Sequence, residues 1–193
     1  VYTEDKITFP VTKSLHDVDG WQSFQDDANH FNPETFLFDA QRFSHKVYAQ
    51  LDAFESGERY VVWLDADCVA KAKLTPEFFI DLLDGHFCAF LGRKQTYTET
   101  GFLIFDTHHP DMEIFKHRYR EFYDKRLLYL LDYWVDCSAF DSARKGLSGN
   151  NLTPEAEGMI DVFRRSPLGK VLDHDKGARI FRREIDEQVS NTA

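Results

Sequence analysis

The sequence predicts an α/β fold, and three observations carry that prediction. Tyr60-Val61-Val62-Trp63-Leu64 is an unbroken apolar run leading straight into two carboxylates, Asp65 and Asp67. Such a run without alternation suits a strand buried on both faces, as in a parallel sheet. Just ahead of it, Leu37, Ala40, Phe43, Val47, Leu51 and Phe54 recur every three or four residues, the spacing of one helix face. Two more apolar runs, 86–91 and 101–105, follow among further helical patterns, and helices alternating with buried strands are the signature of α/β architecture.

Taken in order, Val1-Tyr2-Thr3 reads as the end of a strand with nothing before it, the start of a processed or truncated chain. Residues 5–34 are polar and irregular, with turn signals at Asp26-Asp27 and Asn32-Pro33. The helix over 35–55 places Asp39, Arg42, Lys46 and Gln50 on its outer face, and Ser56-Gly57 stops it before the strand. Thr75 is an N-cap with Pro76 at the first helical position; that helix runs to about Asp84, where Gly85 ends it. After the next two strands, Asp106–Pro110 turns into a helix from Asp111 to about Tyr123, with Met112, Phe115, Tyr119 and Phe122 inward. Leu127–Leu131 leads to Tyr133-Trp134-Val135-Asp136 and a helix to Arg144. Gly146–Thr153 is a loop, Pro154–Arg164 a helix, and 181–193 a frayed tail.

Composition bounds the function. The chain has 193 residues, 42% hydrophobic and 15% aromatic with 18 Phe, enough for one well-formed core, and a single domain over 1–193 is the default. A net charge of −10 argues against a nucleic-acid partner. Cys68, Cys88 and Cys137 are odd in number and lack any C-x-x-C spacing, so they read as reduced core thiols, not as a disulfide or zinc framework. Asn151-Leu152-Thr153 matches the glycosylation sequon by chance. No run is long enough to span a membrane and no signal peptide opens the sequence, so a cytoplasmic protein is expected.

Carboxylates at the end of a buried strand lie where open α/β sheets bind their ligands. Two of them one residue apart repel each other unless a cation sits between them, and a divalent metal is the usual one. An acidic turn with Asp67 capping the next element is the plainer alternative.

The apolar strand, Asp65-Ala66-Asp67 and a downstream helix resemble the metal-binding motif of the GT-A glycosyltransferases, most closely the retaining, glycogenin-like branch. In that branch a helix with a basic residue precedes the motif, as Arg42 or Lys46 does here. A later strand opens with a small-residue turn beside the donor sugar, which Thr100-Gly101-Phe102-Leu103-Ile104-Phe105-Asp106 resembles. An acidic helix start follows, matched by Trp134-Val135-Asp136. A C-terminal His serves as third metal ligand with Gly and Lys after it, and Asp173-His174-Asp175-Lys176-Gly177 is similar. Order and spacing agree over roughly 35–180. The family's first strand and base-binding loop have no counterpart ahead of Val1, and Glu99-Thr100-Gly101 and Val135-Asp136-Cys137 replace its Asn- and Gln-rich blocks.

The resemblance implies a GT-A nucleotide-sugar-binding domain with a mixed, mostly parallel sheet flanked by helices. It implies transfer of a sugar from a UDP- or GDP-sugar donor to an acceptor hydroxyl, with retention of configuration. Asp65, Asp67 and His174 would be ligands for Mn²⁺ or Mg²⁺. Arg42, Lys46, Asp65, Thr100, Gly101, Lys176 and Gly177 would contact the donor, Lys176 as a point charge on the phosphates. Asp136, with Glu99 second, is the carboxylate expected beside an oxocarbenium-like carbon. Each has a structural alternative: a helix cap for Asp136, a loop carboxylate for Glu99, an exposed tail for His174 and a solvated face for Arg42 and Lys46. Asp141 and Arg144 suit a simple i, i+3 pair, and Trp134, Tyr133 and Tyr97 suit either stacking or core. Two other functions compete. Leu64-Asp65-Ala66-Asp67-Cys68-Val69 also resembles the nucleophile motif of haloacid-dehalogenase-type phosphatases, with Leu130-Leu131-Asp132 and Asp136 together resembling that family's last acidic motif. An inactive domain retaining the fold is the third reading.

Overall fold

The computed structural model describes residues 14–27, 35–157 and 161–174. The expected strand at Val1–Thr3, the tail, and Lys176 and Gly177 lie outside the described residues.

The architecture is mixed α/β. A four-stranded sheet has the order β1 (Tyr60–Leu64), β4 (Glu99–Asp106), β3 (Cys88–Leu91), β5 (Asn150–Asn151), and a small second sheet pairs β2 (Cys68–Ala70) with β6 (Leu172–His174). Among the described residues six α-helices accompany them: α1 (Trp21–Gln25), α2 (Ala40–Phe54), α3 (Pro76–Asp81), α4 (Pro110–Asp124), α5 (Asp136–Ala143) and α6 (Val162–Arg165). The expectation of a mostly parallel sheet is corrected among the described residues. β1 and β3 each pair antiparallel with β4, and the one parallel pairing is β3 with β5. The connection from β3 to β4 holds no helix to carry the chain back across the sheet, so the chain reverses and pairs antiparallel. β1, β3 and β5 still run the same way, with β4 reversed among them.

The strand periodicity explains the core. Cys88, Phe90, Leu103 and Phe105 face a cluster with residues of α2, α4 and α5, while Ala89, Leu91, Phe102 and Ile104 face Leu82, Leu83, Val162 and Phe163. Alternate residues thus cover both faces, and β3 and β4 are buried throughout apart from Asp106 at the end of β4. β1 is less deeply set than its apolar run suggests. Among the described residues it lies at the sheet margin, and Val62 is exposed.

α2 starts at Ala40, later than the expected residue 35, because Asp39 is its N-cap. The Asp39 carboxylate accepts from the Arg42 backbone N–H at 3.0 Å. Residues Phe36–Phe38 form a separate 3₁₀ turn that leaves Leu37 exposed. Gln50, expected outward, is fully buried and accepts from the Tyr119 hydroxyl at 3.0 Å. Thr75 caps α3 as expected, accepting from the Phe78 N–H, and Gly85 follows the helix with φ +76°. On α4 it is Tyr123, not Phe122, that is fully buried. The expected irregular stretch 5–34 contains, among its described residues, a 3₁₀ turn at Leu15–Asp17 and α1. Among its described residues the expected helix 154–164 is helical only in α6, and the expected loop 146–153 contains β5. Asn151 bonds the Gly92 and Thr153 N–H groups, a role in the fold for the sequon residue. No described helix is long and apolar enough to cross a membrane, and the three cysteines are free.

Candidate functional site

Antiparallel pairing brings the C-terminal end of β1 to the N-terminal end of β4, and the motif residues gather there. The Asp65 N–H donates to the Gly101 carbonyl at 3.0 Å, and the Cys68 N–H donates back to the Asp65 carbonyl at 3.0 Å. Asp65-Ala66-Asp67-Cys68 is therefore one tight turn seated on β4.

Lys46 is the hub on one side of the turn. Its ammonium lies 2.9 Å from Asp65 Oδ1 and 3.0 Å from Asp136 Oδ2 and donates to the Thr100 carbonyl at 2.6 Å. The Thr100 hydroxyl donates to the same Asp136 oxygen at 2.6 Å, and the Trp63 indole N–H donates to Asp65 Oδ1 at 2.7 Å. The Lys46 and Asp136 side chains are only 13% and 6% exposed. Burial alone would depress the ammonium, but Asp136 and Asp65 together hold its pKa above the ordinary lysine value. The cation beside Asp65 in this structure is Lys46, which the repulsion argument had assigned to a metal.

Asp67 turns the other way, toward His174. β2 and β6 put Cys68 and His174 directly opposite each other, so their side chains share a face. His174 is 3% exposed, and its Nε2 lies 2.9 Å from Asp67 Oδ1. That contact is not aligned as a hydrogen bond, and the buried nitrogen has no hydrogen-bond partner. His174 is held by Phe163, ring centroids 5.0 Å apart, and β6 is fastened by Arg164 to Asp173 at 3.2 Å. Gly101 makes room on the other side: a Cβ there would sit 2.6 Å from His174 Cε1. Gly101→Ala should therefore push the ring aside at a cost of about 1–3 kcal/mol, seen as a lowered denaturation midpoint.

Glu99 is buried. It accepts from the Gly101 N–H at 3.1 Å and lies 3.8 Å from Arg93, so it braces the turn from beneath. Asp141 accepts from the Thr98 N–H and hydroxyl at 2.9 and 2.6 Å and pairs with Arg144 at 2.7 Å. The expected Asp141–Arg144 pair thus also anchors the start of β4. Asp136 is the first residue of α5, not its cap.

Of the expected residues, the structure brings together Lys46, Asp65, Thr100 and Asp136 on one side and Asp67, Gly101, Glu99 and His174 on the other. Arg42 is not among them. It is exposed, its guanidinium 5.0 Å over the Phe36 ring. Trp134 packs on Phe38 and Tyr129, and Tyr133 on Tyr97. Cys68, Trp63, Phe163 and Arg93 are the site residues that sequence reasoning missed. Among the described residues the one group able to ligate a metal through three His, Cys, Asp or Glu side chains is Asp67, Cys68 and His174, their ligand atoms all within 4.8 Å of one another. A buried imidazole nitrogen without a hydrogen bond, beside a carboxylate and a thiol, fits a divalent cation; Asp65, with Oδ1 bonded to Lys46 and Trp63, is outside that group. Burial, with Asp65 and Asp67 adding, pushes the Cys68 thiol up to about 12 in the free protein. Comparison with family models, curated proteins and solved structures returned no match, and what the site can do rests on these residues alone.

Proposed function

We propose that the protein is a GT-A-type glycosyltransferase that moves a sugar from a nucleotide-diphosphate sugar to an acceptor hydroxyl. One observation carries this reading. The blocks whose order along the chain resembles that family, Lys46, Asp65–Asp67, Thr100–Gly101, Asp136 and His174, converge at one end of the sheet within hydrogen-bonding or packing distance of one another. Asp67 and His174 would hold a divalent cation, Mn²⁺ or Mg²⁺ in the reading from sequence, which supplies a Lewis acid for charge building on the leaving diphosphate. Asp136 is the buried carboxylate nearest the centre, fixed by Lys46 and the Thr100 hydroxyl, and it stabilises positive charge at the anomeric carbon. Lys46 acts chiefly by holding Asp65 and Asp136 in place, and Glu99 by holding Gly101. The donor sugar lies against Thr100–Gly101 at the start of β4. Retention of configuration follows from the family resemblance, and product stereochemistry by NMR checks it.

Calorimetry with UDP- and GDP-sugars, with and without Mn²⁺, tests the reading. Cation-dependent nucleotide binding is the expected result. Hydrolysis of a generic phosphomonoester with no nucleotide binding would favour the phosphatase alternative, and binding of neither ligand the inactive domain. The phosphatase reading leaves the buried His174 against Asp67 without a role.

A further inference from the structure

We propose that Cys68, in place of Asp65, is the third protein ligand of the cation site, so that the site takes a thiophilic divalent cation of the Co²⁺ or Zn²⁺ class in preference to Mg²⁺. The proposal deepens the glycosyltransferase reading and rests on its cation site. Three observations independent of the motif point to it. The ligand atoms of Asp67, Cys68 and His174 lie within 4.8 Å of one another. The β2–β6 register sets Cys68 directly opposite His174, so thiol and imidazole share a face for a reason built into the backbone. The His174 Nε2, buried and without a hydrogen-bond partner, faces the same spot.

Asp65 is engaged elsewhere. Its Oδ1 is bonded by the Lys46 ammonium and the Trp63 indole, and it does not join the group of ligand atoms formed by Asp67, Cys68 and His174. Cys68, in contrast, has only a weak bond to give up, from Sγ to the Gly101 carbonyl at 3.6 Å. On coordination the S–H bond breaks, a metal–sulfur bond forms, and the proton leaves to solvent. One carboxylate, one imidazole and one thiolate form a donor set that suits Zn²⁺ or Co²⁺, whereas Mg²⁺ demands oxygen ligands. Three protein ligands leave open positions on a four- to six-coordinate ion for diphosphate oxygens.

Titration of the full chain with Co²⁺ alone tests this. The expected result is a sulfur-to-cobalt charge-transfer absorption in the wild type that is absent in Cys68→Ser, with Zn²⁺ displacing Co²⁺ and excess Mg²⁺ failing to. Since even outer-shell partners of a metal ligand are worth about 10–100-fold in affinity, Cys68→Ser should lose about 100-fold for Co²⁺ or more while its Mg²⁺ affinity is unchanged. Circular dichroism checks that the variant folds, and Cys68→Ala serves if the serine variant does not. A wild type that binds Co²⁺ without the sulfur band, binds no Co²⁺, or matches Cys68→Ser in affinity overturns the proposal. If the band is absent but a nucleotide sugar still binds in a Mn²⁺-dependent way, the thiolate falls and the glycosyltransferase reading stands. If Asp67→Asn leaves cation binding intact, the cation site itself falls.

Discussion

Asp67→Asn should abolish cation-dependent binding of a nucleotide sugar while leaving the fold unchanged. The substitution keeps the size and shape of the side chain but removes the negative charge that faces His174 at 2.9 Å. Asp67 is partly exposed and is not part of the Lys46 hub, so little stability is lost. A cation site with one anionic donor removed no longer offsets the dehydration of the ion. On the proposed transferase activity, loss of the electrostatic stabilisation of the leaving group should lower turnover about 10²–10³-fold. Calorimetry for binding, product formation for turnover and the unchanged denaturation midpoint are to be read together. His174→Ala should give the same binding defect with a larger loss of stability, since it also empties the space between Phe163 and Gly101. Retention of cation-dependent binding in both variants would remove the site from consideration; loss in Asp67→Asn alone would remove His174.

The strand at Tyr60–Leu64, the cap at Thr75 and most of the inward faces of α2 and α4, Gln50 and Tyr123 excepted, were legible because each is written in local periodicity or turn chemistry. The direction of β4 was not, because pairing direction is set by the connections between strands and not by the apolar pattern within them. The two three-residue strands that join Cys68 to His174 were invisible for a related reason: so short a segment carries no period, and its partner lies about a hundred residues away in sequence. Hence His174 was reached only through a resemblance in block order, and Cys68 read as an ordinary core thiol. Gly101 was singled out as a small residue beside a sugar, and its immediate reason in the structure is the His174 ring. The carboxylate pair was read as sharing a divalent cation. What periodicity could not show was that the tight turn separates the two, giving Asp65 to an ammonium from α2 and Asp67 to an imidazole from β6.

Lys46→Met should destabilise the protein more than any other single change at the site. The side chain keeps its reach along α2 but removes the ammonium that neutralises Asp136, which is 6% exposed, and Asp65, which is about a third exposed. Breaking a buried pair from one side strands the other charge and costs about 3–5 kcal/mol; Asp65 adds less than Asp136, because water screens it. For a chain of this size that cost corresponds to a fall in Tm of roughly 6–20 °C. The double variant Lys46→Met/Asp136→Asn should recover most of the loss, since the Asn oxygen still accepts from the Thr100 hydroxyl and no buried charge remains. The pH dependence has a definite sign. The folded pKa of Lys46 lies above the ordinary lysine value, so its contribution is fully present below the ordinary value and is lost as pH rises through the folded pKa. Urea midpoints at pH 7 and at alkaline pH should therefore converge for wild type and Lys46→Met as the wild type loses its advantage. If the gap between them stays constant through the alkaline range, the ammonium is not what holds Asp65 and Asp136 together, and the side chain acts through packing against Trp63.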